Sequence, residues 1–330
     1  MELLLANTGS YPRIAEGKEG QRLRQAYAKW ERGELSAEAF GRVQDSVTEE
    51  VIQEQIEAGL DLVTDGQIRW SDPISHLAGK MEGVEIDGLL RFFDTNFYVR
   101  QPVIVGRVRR KGVLVMEEFR FAQGVSSRLV KPVLTGPYTL ARWSILHTGR
   151  YGDLPELVLD FAAALGEEVK TLAGEGAALI QIDEPSILKH PEDLDLFREA
   201  LEPLIRAKGS ARLALYTYFG DAIPCYEAFQ ALPVEILGLD FTYSPALPEV
   251  ISELGSEKIL GLGLLDGRNT RLETKDVLFP ILEQILSRLK GSMTYLNPSC
   301  GLEYLPREKA LEKLRRMREL RDEFLNGGTP

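Results

Sequence analysis

The stretch LPELVLDFAAALGEEVKTLAGEGAALIQIDEPSIL, residues 154–188, holds one complete step from helix to strand. Leu157, Leu159, Phe161, Ala164 and Leu165 recur with helical spacing in the segment from Leu154 to Gly174. After a break at Glu175 and Gly176, the run Ala177–Asp183 is apolar almost without interruption and stops at Asp183, Glu184 and Pro185. A strand with one wet face alternates, whereas a continuous apolar run fits a parallel strand covered on both faces.

The same rhythm extends in both directions. Eight such runs stand in the chain: Leu3–Asn7, Asp61–Asp65, Pro132–Thr135, Ala177–Asp183, Arg212–Tyr218, Ile236–Phe241, Ile259–Leu265 and Met293–Asn297. Helical segments separate most of them, for example Val277–Leu289 with Leu278, Ile281, Leu282, Ile285 and Leu289. Eight parallel strands with crossover helices close into a barrel, whereas a doubly wound sheet of the flavodoxin or Rossmann type usually has about five or six. The fold expected is therefore an α/β (β/α)8 TIM barrel forming one domain over residues 1–330, with an open sheet as the alternative. Two segments exceed the minimal barrel. Lys18–Gly59 reads as a long helical connection with Ser36 and Glu38 at a helix start, and residues 97–125 read as an inserted β-hairpin turning near Lys111 and Gly112. Its RVRRK tract (107–111) is expected at a solvated tip, and residues 306–325 as the last helix before a frayed GGTP tail.

Composition narrows the function classes. The 330 residues are 44% hydrophobic and 27% charged, ordinary for a globular protein. Lys plus Arg is 39 against 50 for Asp plus Glu, a formal charge of -11, which repels a phosphate backbone and argues against nucleic acid as a partner. Two cysteines, Cys225 and Cys300, are too few for a disulfide framework. The start MELLLANTG is no signal peptide, and no run reaches the roughly 20 apolar residues of a membrane span, so a cytoplasmic protein without membrane partners is expected. His76, His147 and His190 show no paired spacing and read as structural or surface residues. No GxSxG, Walker A or GxGxxG motif is present.

In TIM-barrel enzymes the chemistry sits at the C-terminal ends of the strands. Those ends carry Thr8, Gly9 and Ser10; Asp65, Gly66 and Gln67; Gly136; Asp183 and Glu184; Tyr216 and Tyr218; Asp240; Asp266; and Asn297 and Cys300. Carboxylates converging at one rim suit a ligand with an ammonium group, since unpaired charge there is costly to desolvate. Asp183 is the strongest candidate. A Thr8–Gly9–Ser10 turn can offer backbone N–H groups to a carboxylate, with Gly9 allowing close approach. Asp65 and Asp266 fit either a site or a turn.

These rim segments resemble the cobalamin-independent methionine synthase family. The likeness rests on ANTGSYPRI (6–14), LVTDGQIRW (62–70), FFDTNFY (92–98), LTGPYTLARWS (134–144), LIQIDEPSIL (179–188), LALYTYFGD (213–221), LGLLDGRN (262–269) and YLNPSCGL (295–302), in order along most of the chain. The resemblance implies a TIM barrel of the methionine synthase and uroporphyrinogen decarboxylase type. It implies S-methyl transfer to homocysteine or a related thiol in methionine biosynthesis. A metal-free lyase or decarboxylase on that fold lacks a motif of its own here. Full-length members carry two barrels; LALYTYFGD, FFDTN and LGLLDGRN are most similar to the N-terminal one, NPSCGL to the catalytic one.

Carried over by position, the resemblance puts the homocysteine carboxylate on Thr8, Gly9 and Ser10, and its amino group on Asp183, with Gln67 also at the substrate; from their places at the rim, Asp65 and Tyr218 are expected at the substrate and Asp266 with Asp183 in catalysis. Gln67 is neutral where the family has a second carboxylate. The zinc positions read Tyr216, Tyr218, Asp240 and Cys300, so the His-x-Cys pair is replaced and only Asp240 and Cys300 remain as metal ligands. Zinc and a metal-free barrel both stay open, as does the methyl donor, whether folate, corrinoid or another. Without a metal, a thiol of pKa near 8.5 is a few per cent ionised at pH 7, a cost of about 2 kcal/mol in thiolate population. The alternative function is a non-catalytic accessory barrel paired with a separate zinc-bearing catalytic barrel.

Overall fold

A computed structural model describes residues 1–327. The strands are β1 (Glu2–Leu5), β2 (Leu62–Val63), β3 (Met81–Arg91), β4 (Tyr98–Arg110), β5 (Leu129–Val130), β6 (Val133–Thr135), β7 (Ile145–Leu146), β8 (Leu179–Asp183), β9 (Arg212–Thr217), β10 (Ile236–Asp240), β11 (Ile259–Leu265) and β12 (Met293–Pro298). Seven form a parallel sheet in the order β1-β12-β11-β10-β9-β8-β6. The wall closes through β2, which bridges β1 at Ala6–Leu62 and pairs with β5. Pro132 has no N–H to continue β5 into β6, yet Lys131 N–H donates to Val63 O at 2.8 Å and Pro132 O accepts from Gln181 N–H at 3.0 Å, so the wall is continuous there. The result is the expected (β/α)8 barrel.

Inside the barrel, every second residue of a strand faces the axis. Leu179, Ala214, Ile236 and Tyr295 pack with Ala6, Leu62 and Tyr216 as an apolar floor. Gly238 and Gly261 make room for the Tyr216 ring and hydroxyl: a Cβ at either would come within 2.2 Å and 2.6 Å of them. Two residues up β8 and β12 the interior turns polar at Gln181 and Asn297, and buried Lys131 bonds Gln181 and Asn7 O at this level. Two residues further lie Asp183 and Tyr218. A second apolar layer, including Leu157, Phe161 and Leu165 of the helix Leu154–Gly174, packs outside the strands.

The Lys18–Gly59 connection is helical as expected, with Ser36 Oγ accepting from Ala39 N–H at the start of Ala37–Glu57. The last helix is Arg307–Gly327, tied back by Lys313 Nζ to Glu273 at 2.6 Å; the tail expected to fray lies, after Gly327, outside the described residues.

The inserted hairpin is displaced from its expected place at 97–125. Its arms are β3 and β4, it turns at residues 92–97, and Met116–Val125 is a helix. The alternation of 98–110 was a true strand signal, but its partner lies upstream in MEGVEIDGLLR; EEFRF follows helical spacing, burying Met116, Glu118, Phe119 and Ala122. The RVRRK tract is therefore not a solvated tip. Arg107 pairs with Asp160 at 3.1 Å and Arg110 with buried Glu168, which fastens the hairpin to the helix Leu154–Gly174.

Candidate active site

At the C-terminal mouth, Thr8, Gly9, Ser10, Gln67, Asp183 and Tyr218 line one cleft, together with Pro73, Phe92, Phe219, Gly301, Glu303 and Tyr304. The turn of the inserted hairpin covers it. Phe92 packs at 6.0 Å from Phe219, and Asp94 reaches across the mouth to Arg268 at 3.1 Å and to the Tyr243 hydroxyl. The FFDTN segment is thus the part of the insertion that closes the site.

Asp183 is held from two sides: Gln181 Nε2 donates to Oδ1 at 2.6 Å and Tyr218 OH to Oδ2 at 3.1 Å. Burial pushes its carboxyl above the usual range, opposed by the Gln181 hydrogen bond and the Lys131 ammonium. Lys131 is itself held below the ordinary lysine range by burial, with Asp183 pulling the other way. Gln181 Nε2 also donates to Thr8 O at 2.7 Å, so one amide side chain sets both the carboxylate and the turn. The Thr8 hydroxyl is spent on Pro298 O, whereas the N–H groups of Thr8, Gly9 and Ser10 donate to no other backbone group among the described residues. They remain available for a ligand carboxylate. Gln67 has φ 53, and its Nε2 lies 3.6 Å from where a Gly9 Cβ would stand, an ordinary contact distance that places the amide against the turn.

Three expected site residues stand apart from the cleft. Asp65 accepts from Gln67 N–H at 3.0 Å and faces Glu118, Trp70 and Lys131 behind it; burial and Glu118 raise its carboxyl to about 6. Asp266 closes a turn by accepting from Arg268 N–H at 2.9 Å and is not among the cleft residues. Tyr216 lies in the barrel floor. His76 is structural as read, stacked on Trp70 at 5.0 Å and joined to Glu118 at 2.9 Å.

The zinc positions do not make a metal site. Asp240 Oδ1 accepts from Thr242 N–H at 2.9 Å and from the Thr242 hydroxyl at 2.6 Å, while Oδ2 accepts from Phe219 N–H at 3.3 Å. The buried Cys300 thiol donates to Gly301 O at 3.4 Å, and burial, with Asp240 and Glu303 beside it, drives its pKa well above the ordinary thiol value and so keeps it protonated. No group of three or more His, Cys, Asp or Glu side chains stands ready for a metal among the described residues. The expected ligand pair of Asp240 and Cys300 is thus not arranged as a ready ligand set: Oδ1 is engaged by the turn after β10 and Oδ2 by Phe219 N–H.

Sequence reasoning missed Glu303, Tyr304, Phe92 and Phe219 in the cleft, and Lys131 and Gln181 beneath it. Lys131 and Gln181 had a signal, since each is a polar residue within an otherwise apolar run. Glu303 had none, being one acid in a charged stretch.

The profile of the cobalamin-independent synthase catalytic domain matches residues 3–323. The chain belongs to the cobalamin-independent methionine synthase family. Relatives named methionine synthase include that of Saccharolobus solfataricus, 31% identical over 310 residues (93% of this chain and 90% of the relative), and that of Sulfurisphaera tokodaii, 30% identical over 328 residues (97% and 93%). Among solved structures, a B12-independent methionine synthase from Shewanella in complex with selenomethionine superposes with TM-score 0.80 at 20% identity, covering 99% of this chain and 100% of that one. One from Listeria monocytogenes gives 0.73 at 18%, covering 96% of each, and these likenesses bear on the fold. Among the described residues no helix of this methionine synthase family member is long and apolar enough to cross a membrane.

Proposed function

We propose that the chain is an S-methyltransferase of methionine biosynthesis, binding homocysteine or a related amino-acid thiol in the cleft. The observation that carries this reading is the pairing of Asp183, fixed by Gln181 and Tyr218, with the unengaged N–H groups of the Thr8–Ser10 turn. Asp183 offers an acceptor for an α-ammonium and the adjoining turn offers donors for an α-carboxylate, two groups that one α-carbon carries side by side. The methyl group passes from its donor to the substrate sulfur, and the thiol proton leaves to the donor's leaving group or to solvent. The chain's own part is to bind and orient the amino acid and, through the hairpin turn, to cover it. No step is assigned to zinc, because the residues at its positions do not fit one.

The accessory-barrel reading draws on the replaced zinc ligands. Against it, relatives of similar length, matched over 90% and 93% of their chains, themselves carry the methionine synthase name. Calorimetry with L-homocysteine tests the proposal. Asp183→Asn is expected to weaken binding by about 1.5–3 kcal/mol, the range for a hydrogen bond to a charged group. Equal affinities in wild type and variant would remove Asp183 from the site, and turnover by the isolated chain would exclude the accessory role.

A further inference from the structure

Asp183 is not the only buried carboxylate that faces the cleft. Glu303 follows β12, four strands round the barrel from β8, so the two acids approach from opposite walls. Glu303 Oε2 is shielded from solvent and has no hydrogen-bond partner among the described residues. Its carboxylate end is pressed into the cleft beside the substrate turn: a Cβ on Gly301 would stand 2.3 Å from Glu303 Oε2 and 1.9 Å from Ser10 Oγ. Glycine at 301 leaves the room that these two oxygens occupy. Burial raises the Glu303 carboxyl to about 7, against the pull of Arg13 and Tyr304, and its charge in turn raises Asp183.

Arg13 and Lys131 each draw on one of these two acids, yet Glu303 Oε2 keeps no hydrogen-bond donor, and an orphaned buried carboxylate oxygen is expensive unless a ligand donor completes the set. Asp183 has one hydrogen bond on each oxygen already, whereas an ammonium brings three N–H donors and needs more than one acceptor. We infer that Glu303 is a substrate-positioning residue that shares the α-ammonium of the amino-acid substrate with Asp183, across the cleft from it. Gln67, neutral and left-handed at the edge of the same cleft, does not carry that charge. The role accounts for the orphaned Oε2 and for the glycine at 301. It rests on the amino-acid-thiol reading given above.

The test is calorimetry of wild type, Glu303→Gln and Glu303→Asp with L-homocysteine and with 4-mercaptobutanoate, which keeps the thiol and carboxylate but lacks the amino group. Glu303→Gln is expected to weaken L-homocysteine binding by 10- to 100-fold, a loss on the order of a charged hydrogen bond, while leaving 4-mercaptobutanoate unchanged or tighter; Glu303→Asp is expected to recover part of the loss. A thermal melt of each variant shows that the fold is kept, and the ratio of the two ligands is insensitive to a general loosening of the cleft. Equal weakening of both ligands, or no weakening of either, overturns the assignment while the functional reading stands. A wild type that binds neither L-homocysteine nor L-methionine overturns the functional reading and this assignment with it.

Discussion

The Lys131 ammonium nitrogen lies 4.5 Å from the centre of the Tyr216 ring, inside the barrel and beneath the cleft. It donates to Asn7 O at 2.9 Å and to Gln181 Oε1, and Gln181 holds both Asp183 and Thr8 O. The polar layer is thus one connected unit, with the cation as its anchor. Lys131→Met fills the space but leaves two buried acceptors unpaired. It is expected to cost about 2–4 kcal/mol in urea unfolding and to weaken L-homocysteine binding in calorimetry, because Gln181 loses its anchor. Unchanged stability together with unchanged affinity would refute the linkage.

That layer also shows what a sequence can and cannot reveal here. The barrel was legible because its strands are continuous apolar runs, and covered parallel strands demand them. Asp183, Thr8, Gly9 and Ser10 were legible because strand ends in a barrel face one mouth. Asp240 and Asp266 obey the same rule, yet their carboxylates cap their own turns, a choice made by local backbone geometry that the residue type does not encode. The hairpin was misplaced because both strand arms and the following helix carry apolar residues at short spacing, and pairing is decided by contacts between β3 and β4 that lie 7 to 29 residues apart. Glu303 was out of reach, since nothing local marks an acid in GLEYLPREK as turned inward.

Binding should depend on pH through Asp183 and Glu303. A carboxyl raised above its ordinary range is largely protonated on the acid side of neutrality, and an ammonium ligand must displace that proton to bind. Affinity for L-methionine, whose ammonium stays charged over the range, is expected to rise from pH 5.5 to pH 8, at the acid end by up to about tenfold per unit for each of the two acids that must lose its proton. Asp183→Asn should lower the slope and leave the part that Glu303 contributes. Calorimetry across that range decides it, and a flat wild-type profile would contradict the placement of the ammonium between these acids.

Glu118 carries the opposite sign. Although burial acts to raise it, His76 and Lys80 lower its carboxyl to about 2, and it also accepts from Trp70 Nε1 at 3.0 Å and ties the helix Met116–Val125 to the segment before the hairpin. A folded-state value below the unfolded one adds stability that is present above the usual carboxylate range and lost as pH falls through about 2. Glu118→Ala is expected to cost about 3 kcal/mol at pH 7 and much less near pH 2.5. Urea unfolding at both values checks this, and an equal cost at both would mean that packing, not charge, holds the helix.

Zinc content tests whether this barrel follows the metal-dependent pattern it resembles. A zinc ligand must present a free lone pair, and cysteine binds as the thiolate. Asp240 has its oxygens turned to Thr242 and Phe219 N–H groups, and Cys300 is buried beside Asp240 and Glu303, whose negative charges oppose a thiolate. Tyr216, in the barrel floor, is raised far beyond its ordinary value by burial and cannot supply a phenolate. Protein purified without chelator is therefore expected to contain well under one zinc per chain by mass spectrometry of the metal, and L-homocysteine affinity is expected to survive a chelator. One zinc per chain, lost together with that affinity when chelator is added, would mean that Asp240 and Cys300 rearrange into a ligand set on binding, and thiol activation by the metal would become the working chemistry.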